Sequence, residues 1–248
     1  MRLVRRSGFV GVVAAVALLV GAMPAHAAPG DGSAYAADVD LTLAKAPTIR
    51  VGPLAPSSTE GRTSAELASL AVPGVVSAGV VTSAVGRDES TGIVRAKATL
   101  DNVELTMADM GNIGWIEAGC ESTTDGNNGW TTLGDVRLAD AVVASNPAPN
   151  TTMRIPSGPV PSPLVTVVFN EQIRNDDGSL TVNAMHIKPN VMLGEGEVIL
   201  GRAQCGVPCP PVPLASGAGL WLGLGVVGLA AIAVGFVVVR RRLNPMTG

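Results

Sequence analysis

The sequence predicts an all-β protein with a single antiparallel β-sandwich or β-roll ectodomain, followed by one C-terminal transmembrane helix. Three observations predict it. Apolar residues alternate with period two through the centre of the chain, clusters of Gly, Pro, Asn and Asp separate the alternating stretches, and a charge-free apolar run lies near the end. Seven or eight strands joined by such turns are typical of a sandwich or roll.

Residues 1–27 predict a signal peptide. Three arginines precede the apolar run 9–20, and residues 25–27 read Ala-His-Ala, the small-x-small pattern that signal peptidase recognises. Cleavage is expected between Ala27 and Ala28. The alternative is an uncleaved anchor, but the apolar run is short for a membrane span. The chain after residue 27 is therefore expected outside the cytoplasm.

Residues 214–239 predict a transmembrane helix, since 26 uncharged residues form an α-helix about 39 Å long. A buried core helix is the alternative, but this run has no polar stripe. Three basic residues follow and act as a stop-transfer signal on the cytoplasmic side, Arg240, Arg241 and Arg242. Residues 240–248 are therefore expected as a cytoplasmic tail. The protein is expected in the cell membrane, single-pass, with an extracellular N-terminal domain.

Residues 207–213 contain four prolines and predict a stiff spacer between the ectodomain and the membrane. Spacer, apolar run and terminal arginines together have the layout of a sortase substrate. The segment 213–217 lacks the Thr-Gly bond of such a signal, so a retained membrane helix is favoured over sortase processing.

Residues 28–70 are rich in Ala, Ser, Thr, Pro and Gly. Pro47, Pro53 and Pro56 interrupt any periodicity, which predicts an extended, partly disordered N-terminal segment with at most a short helix at 64–70. The β-rich ectodomain is then expected over residues 71–206.

Alternation is clearest at residues 93–100, where Val94 to Leu100 place apolar side chains on one face. Asp101-Asn102 interrupts this pattern before Val103 and Leu105 resume it, which predicts a bulge or tight turn. Further strands are predicted at 74–84, 113–120, 130–143, 164–169, 180–187 and 198–205.

The segment 174–179 combines Asp-Gly with other turn formers, so it predicts a hairpin whose arms are residues 164–173 and 180–187. Residues 145–163 contain six prolines, which predict an irregular surface connection rather than a strand of a central sheet. A ligand-binding loop is the alternative for that segment.

Three cysteines are present, and an exported chain normally oxidises its thiols. We predict a Cys120–Cys205 disulfide, which closes a loop of about 85 residues and contributes about 4 kcal/mol in the chain-entropy model. The alternative is a local Cys205–Cys209 bridge that leaves Cys120 free. Cys209 is otherwise expected to stay unpaired, and the spacing gives a poor zinc signal.

Charge and histidine content restrict the functions available. Residues 28–239 hold 11 basic and 20 acidic residues, a formal charge of about −9, so nucleic acid is not an expected partner. His26 leaves with the signal peptide, and His186 is then the single histidine. Alternation predicts that His186 shares a strand face with Val182 and Ala184, opposite Asn183. No catalytic residue is predicted from these patterns.

Carboxylates and oxygen-rich turns leave two further possibilities. A pair of acids on the sheet could support an exported hydrolase; the candidates are Glu104, Glu117, Asp135 and Glu171. The stretches 125–128 and 175–177 could offer oxygen ligands to calcium, but turn formation explains their composition, so no metal or cofactor is expected.

Three segments carry a resemblance to a known family: Phe-Asn-Glu-Gln at 169–172, Thr-Val-Asn-Ala-Met-His-Ile at 181–187, and residues 198–205. With them, the chain resembles the choice-of-anchor P family over about residues 71–206. The matching motif residues are Asn170, Glu171, Gln172, Val182, Asn183, Ala184 and His186. Met185 stands where the family usually has Leu. The resemblance implies an exported bacterial domain joined to a C-terminal anchor, and it implies no catalytic residues.

From these patterns we expect a membrane-anchored bacterial cell-surface protein. Its non-enzymatic β domain would serve adhesion, recognition or envelope structure, with the membrane and an extracellular protein or glycan as partners. The alternative is an exported carboxylate-dependent hydrolase tethered to the membrane.

Overall fold

The computed structural model describes residues 30–43, 47–139, 143–157 and 160–207. In these ranges no helix is long and apolar enough to cross a membrane. The predicted signal peptide, transmembrane helix and basic tail lie outside the described residues, and so do Cys209 and most of the proline-rich spacer.

The described residues form an all-β domain of two antiparallel sheets, with one 3-10 turn at Met107–Asp109. In chain order the strands are β1 (Gly32–Leu43), β2 (Ile49–Leu54), β3 (Ser57–Ser58), β4 (Ser64–Leu67), β5 (Leu70–Val72), β6 (Val76–Ala78), β7 (Val81–Arg87), β8 (Val94–Leu105), β9 (Gly111–Thr123), β10 (Gly126–Leu138), β11 (Thr151–Ser157), β12 (Val160–Arg174), β13 (Leu180–Pro189) and β14 (Gly194–Cys205).

The first sheet has the order β11-β12-β13-β14-β1-β2, with β3 also paired to β1. The second sheet has the order β10-β9-β8-β6-β5, with β7 paired to β8 and β4. Strands β1 and β14 pack on β7, β8 and β9, while β13 packs on β9 and β10. The two sheets therefore stack face to face, as the predicted sandwich requires.

The core between the sheets consists mainly of Val, Ala, Leu, Ile and Met side chains. Phe169 is the one aromatic ring among the fully buried side chains of the described residues. The predicted disulfide is confirmed: Cys120 on β9 and Cys205 on β14 are bonded, with their Cα atoms 6.0 Å apart. It joins the two sheets through the core, where both cysteines are fully buried.

Residues 28–70 differ from the expected loose segment. Strand β1 lies inside the first sheet, between β14 and β2, and Val39 and Leu41 are fully buried. Strand β1 contains one Gly and several Ala residues, because only small side chains fit where the sheets approach closely. These small residues obscure the alternation of apolar and polar side chains in the sequence. A Cβ on Gly32 would come within 2.7 Å of Val94 Cγ1. The helix considered at 64–70 is absent, since Ser64–Leu67 forms β4.

Residues 145–163 also differ from the irregular connection that the prolines predict. Thr151–Ser157 forms β11, which pairs with β12 along an edge of the first sheet. An edge strand tolerates proline because one side of its backbone needs no sheet partner. The register shifts at Pro156, where the missing N–H interrupts the ladder.

The interruption predicted at Asp101-Asn102 is confirmed as a distortion inside one strand. Asn102 has φ 50°, in the left-handed region, and the buried positions move from Leu100 to Val103 across it. On β10, Asp135 has φ 51°, so two left-handed residues flank Gly114 of β9. Asn102, Gly114 and Asp135 thus form a row across the sheet. Beyond this row, the alternation of inward-facing and outward-facing side chains on each strand is shifted by one residue.

The first sheet contains a matching row. Asn170 on β12 has φ 49° and Gly201 on β14 has φ 67°, and the register places both beside Ala184 of β13. Asn and Gly tolerate the left-handed region better than other residues, which explains their presence there.

The hairpin predicted at 174–179 is confirmed between β12 and β13, with the Asn175 backbone amide donating to the Ser179 carbonyl at 2.9 Å.

Candidate functional site

The most strongly connected polar group of the domain lies on the outer face of the first sheet, around His186. His186 Nδ1 is 2.6 Å from Glu171 Oε2, and its Nε2 is 2.8 Å from Glu197 Oε2. The two glutamates belong to β12 and β14, the neighbours of β13 on either side. Both ring nitrogens of His186 therefore contact carboxylate oxygens, one from each neighbouring strand. The imidazole is only 6 % exposed.

Glu171 receives a second donor and a nearby cation. Asn183 Nδ2 donates to Glu171 Oε2 at 2.7 Å, and Lys188 Nζ lies 3.6 Å from Oε1. The hydrogen bond from His186 lowers the pKa of Glu171 to about 2, against the opposing effect of burial, and Asn183 and Lys188 lower it further. The carboxylate is therefore ionised across the neutral pH range.

The position of His186 differs from the face that simple alternation predicts. Asn183 and His186 are three residues apart, yet both contact Glu171 Oε2, so they share the outer face. Val182 points the other way, since a Cβ on Gly129 of the second sheet would lie 2.5 Å from Val182 Cγ2. The left-handed row beside Ala184 shifts the phase of β13 between these residues.

The outer face of the first sheet continues toward β1. Arg202 Nη1 donates to the Tyr35 hydroxyl at 3.2 Å, and the guanidinium lies 5.6 Å from the ring centroid. Burial raises the pKa of Tyr35 against the effect of Arg202. Burial also raises the pKa of Asp38, and the negative charge of Glu197 adds to that effect.

Beside this group an open pocket of about 420 Å³ is lined by Asp40, Lys188, Gly196 and Glu197. Among the described residues, no group of three or more His, Cys, Asp and Glu side chains is arranged to hold a metal ion.

The residues of the family resemblance meet in this region although they come from two segments of the chain. The register pairs Glu171 with Asn183 and Gln172 with Val182. Asn170 Nδ2 donates to the Pro147 carbonyl at 2.9 Å, and Asn170 Oδ1 accepts from Gln172 Nε2 at 3.1 Å.

Gln172 also connects the two sheets, because its Nε2 donates to the Gly129 carbonyl of β10 at 2.8 Å. Ala184 occupies the centre of the left-handed row, where a Cβ on Gly201 would come within 3.2 Å of the Ala184 Cβ. The motif residues therefore fix the pairing of β12 with β13 and the packing of the first sheet on the second.

The four carboxylates considered for catalysis do not all converge. Glu171 belongs to the first sheet, while the other three lie in the second. Glu117 Oε1 accepts from Trp130 Nε1 at 3.1 Å, and its Oε2 contacts Lys97. Glu104 and Asp135 do come together, since both line an open pocket of about 580 Å³ on the second sheet.

The two oxygen-rich turns considered for calcium lie side by side. Asn127 Nδ2, at the start of β10, donates to the Gly178 carbonyl in the β12–β13 turn at 2.9 Å. Asp177 Oδ1 accepts from both the amide and the hydroxyl of Ser179, at 2.9 and 2.6 Å. Turn formation thus accounts for these side chains.

Sequence reasoning missed Glu197 and Tyr35 as members of the outer face. Glu197 lies two residues after Gly194-Glu195, in a stretch without clear alternation, and Tyr35 lies in the segment expected to be loose. Asn170 and Gly201 both adopt left-handed backbone, and the alternation of side chains shifts by one residue beside them. A shift recognised at these two residues would have predicted that His186 lies on the outer face.

Comparison with family models, curated proteins and solved structures gives no match to this chain.

Proposed function

We propose that this protein is an exported bacterial surface protein, anchored in the membrane by its C-terminal segment, whose β-sandwich binds an extracellular partner without catalysing a reaction. The observation that supports a binding role is the engagement of His186. Both of its ring nitrogens contact carboxylates, so it has no free nitrogen to act as a general base. Glu171, with its pKa at about 2, is likewise a poor general acid at neutral pH.

Export is supported by the disulfide and by the chain ends. Cys120–Cys205 lies in the core between the sheets, and such bonds persist in oxidising compartments. The signal-peptide pattern before Ala28 and the arginines after residue 239 favour the same orientation. Membership of the choice-of-anchor P family, proposed from the motif residues, agrees with this location.

Labelling of intact cells tests the location. In a C209S background, T124C places a thiol on the exposed β9–β10 turn, and T247C places one in the predicted cytoplasmic tail. We expect a membrane-impermeant maleimide to label T124C on intact cells and to label T247C only after lysis. Labelling of T247C alone on intact cells would contradict the proposed orientation.

A membrane-tethered hydrolase is the second candidate, and one specific observation favours it. Glu104 and Asp135 line the same open pocket, together with Asn112 and Arg137. Two carboxylates in one pocket are the arrangement that glycoside hydrolysis uses.

The test is release of reducing ends from soluble polysaccharides by the full-length protein in detergent. A binding module releases none. A hydrolase releases them, and both E104Q and D135N abolish the release while the folded state, monitored by circular dichroism, is retained.

A further inference from the structure

Both tryptophans of the described residues lie on the outer face of the second sheet rather than in the core. Trp115 on β9 follows Gly114 and precedes the fully buried Ile116, and Trp130 lies on the edge strand β10. Both indoles are half-buried. A tryptophan carries a large apolar surface that a protein normally places in its interior. Here the interior contains mainly aliphatic side chains and Phe169, while both indoles remain partly exposed at the surface.

Each tryptophan lies opposite a glycine on the neighbouring strand. The register pairs Trp130 with Gly119 and Trp115 with Gly134. A Cβ on Gly119 would come within 2.3 Å of Trp130 Cε2 and Cζ2, so the indole lies directly against the backbone there. One side of that ring is therefore supported by the sheet, and the ring keeps a fixed orientation.

The groups between and beside the rings are polar. Glu117 accepts from Trp130 Nε1 and contacts Lys97. The open pocket of about 580 Å³, which Gly114 lines beside Trp115, has Val103 and Ile113 in its wall, but most of its lining is exposed and polar; these residues are Asn102, Glu104, Asn112, Asp135 and Arg137. Charged groups thus lie beside Trp130, and the pocket reaches Gly114, the chain neighbour of Trp115. The core of a protein–protein interface is instead apolar and depleted of charge.

We propose that the outer face of the second sheet binds an uncharged oligosaccharide. Trp115 and Trp130 pack against the C–H faces of sugar rings, and the polar pocket hydrogen-bonds their hydroxyl groups. Asn112 supplies both a donor and an acceptor, Arg137 supplies donors, and the carboxylates supply acceptors, which is the mixture that hydroxyl groups require. This inference rests on the proposed binding function and names the ligand class.

The register also indicates the length of the ligand. Trp130 pairs with Gly119, which is four residues along β9 from Trp115, a separation of about 13 Å along the strand. An extended oligosaccharide, rather than a single sugar, contacts both rings.

The charge of this face favours a neutral glycan over an anionic polymer. On β8, β9 and β10 this face carries five acidic side chains against three basic ones: Asp101, Glu104, Glu117, Glu121 and Asp135, against Arg95, Lys97 and Arg137. Repulsion from the excess carboxylates weakens binding of teichoic-acid-like or sulfated chains.

The test uses the full-length protein in detergent micelles and neutral hexasaccharides of glucose, mannose, galactose, arabinose and N-acetylglucosamine. Isothermal titration calorimetry is expected to detect binding to at least one of them. W115A and W130A should each weaken that binding at least tenfold, whereas W115F and W130F should retain most of it because a ring remains. The matched control is M192A, which removes a large exposed apolar side chain from the β13–β14 turn and should leave affinity unchanged.

Failure of this inference is distinguishable from failure of the proposed function. If the folded W115A and W130A variants bind like the wild type, or if no neutral hexasaccharide binds while a protein partner does, the glycan-binding face is wrong and the binding role stands. If the wild type cleaves the hexasaccharide and E104Q abolishes cleavage, the non-enzymatic role is wrong. Circular dichroism melts of every variant establish that it is folded.

Discussion

Asn183 and Glu171 face each other across β13 and β12, and the Asn183 amide donates to the carboxylate oxygen that His186 also contacts. This relationship joins two segments that are separated by a hairpin turn in the sequence. It also shows how side-chain hydrogen bonds between neighbouring strands hold the two segments of the motif together. Glu171 is largely buried and carries a charge that is matched by His186 and Lys188.

Removing the Glu171 charge should destabilise the domain. E171Q replaces an ionised acceptor by a neutral amide and leaves the imidazole with a weaker partner, which costs about 2–3 kcal/mol because hydrogen bonds to charged groups are the stronger ones. Urea denaturation followed by circular dichroism measures the change. E89Q is the control, since Glu89 pairs with Arg87 at the surface with its side chain 79 % exposed, and its loss should cost under about 1 kcal/mol. Equal effects of the two variants would contradict this role.

Acid should weaken the same network. The folded-state pKa of Glu171 is about 2, below its ordinary value of 4.5, so its contribution is fully present above about pH 4.5 and is lost as the pH falls toward about 2. The melting temperature of the wild type should therefore drop over this window more than that of E171Q, which has no carboxylate at this position. Parallel curves for the two proteins would show that Glu171 does not carry the acid sensitivity.

The inter-sheet disulfide should contribute strongly to stability. Cys120 and Cys205 are 85 residues apart, and opening a loop of that length destabilises a domain by about 4 kcal/mol in the chain-entropy model. The C120A/C205A double variant is expected to lose about this amount in urea denaturation. C209S is the control, since Cys209 is expected to stay outside this bond, and it should match the wild type. A C209S variant as unstable as the double variant would indicate a different pairing.

A methyl group opposite Trp130 should disturb that ring, whereas one opposite Trp115 should not. In G119A the new Cβ overlaps the Trp130 indole, which must move, and the overpacking costs about 1–3 kcal/mol. In G134A the nearest atom to the new Cβ is Trp115 Cβ at 3.5 Å, an ordinary contact, so the change should stay within about 0.5 kcal/mol. Thermal melts and near-ultraviolet circular dichroism of the indoles provide the two measurements. A silent G119A would mean that Trp130 does not lie against Gly119.

Much of the strand pattern could be predicted because it follows from local side-chain chemistry. The break at Asp101-Asn102 was visible since apolar residues change parity across it, and the Asp-Gly turn at 177–178 marked the β12–β13 hairpin. On β13 the same kind of phase shift was hidden. Its polar residues change parity across Ala184, from Thr181 and Asn183 to His186 and Lys188, but β13 itself carries no turn-forming residue at that point, because the left-handed residues Asn170 and Gly201 lie on the neighbouring strands.

The sequence by itself determined the all-β class and favoured the Cys120–Cys205 disulfide over a Cys205–Cys209 bridge, because alternation and the positions of cysteines at predicted strand ends are local properties. Tertiary structure alone decided that β1 enters the first sheet, that β11 pairs at its edge, and that His186 faces Glu171 and Glu197. These outcomes depend on long-range strand pairing. A single left-handed residue on a neighbouring strand reverses which side chains meet, and only the assembled sheet contains that information.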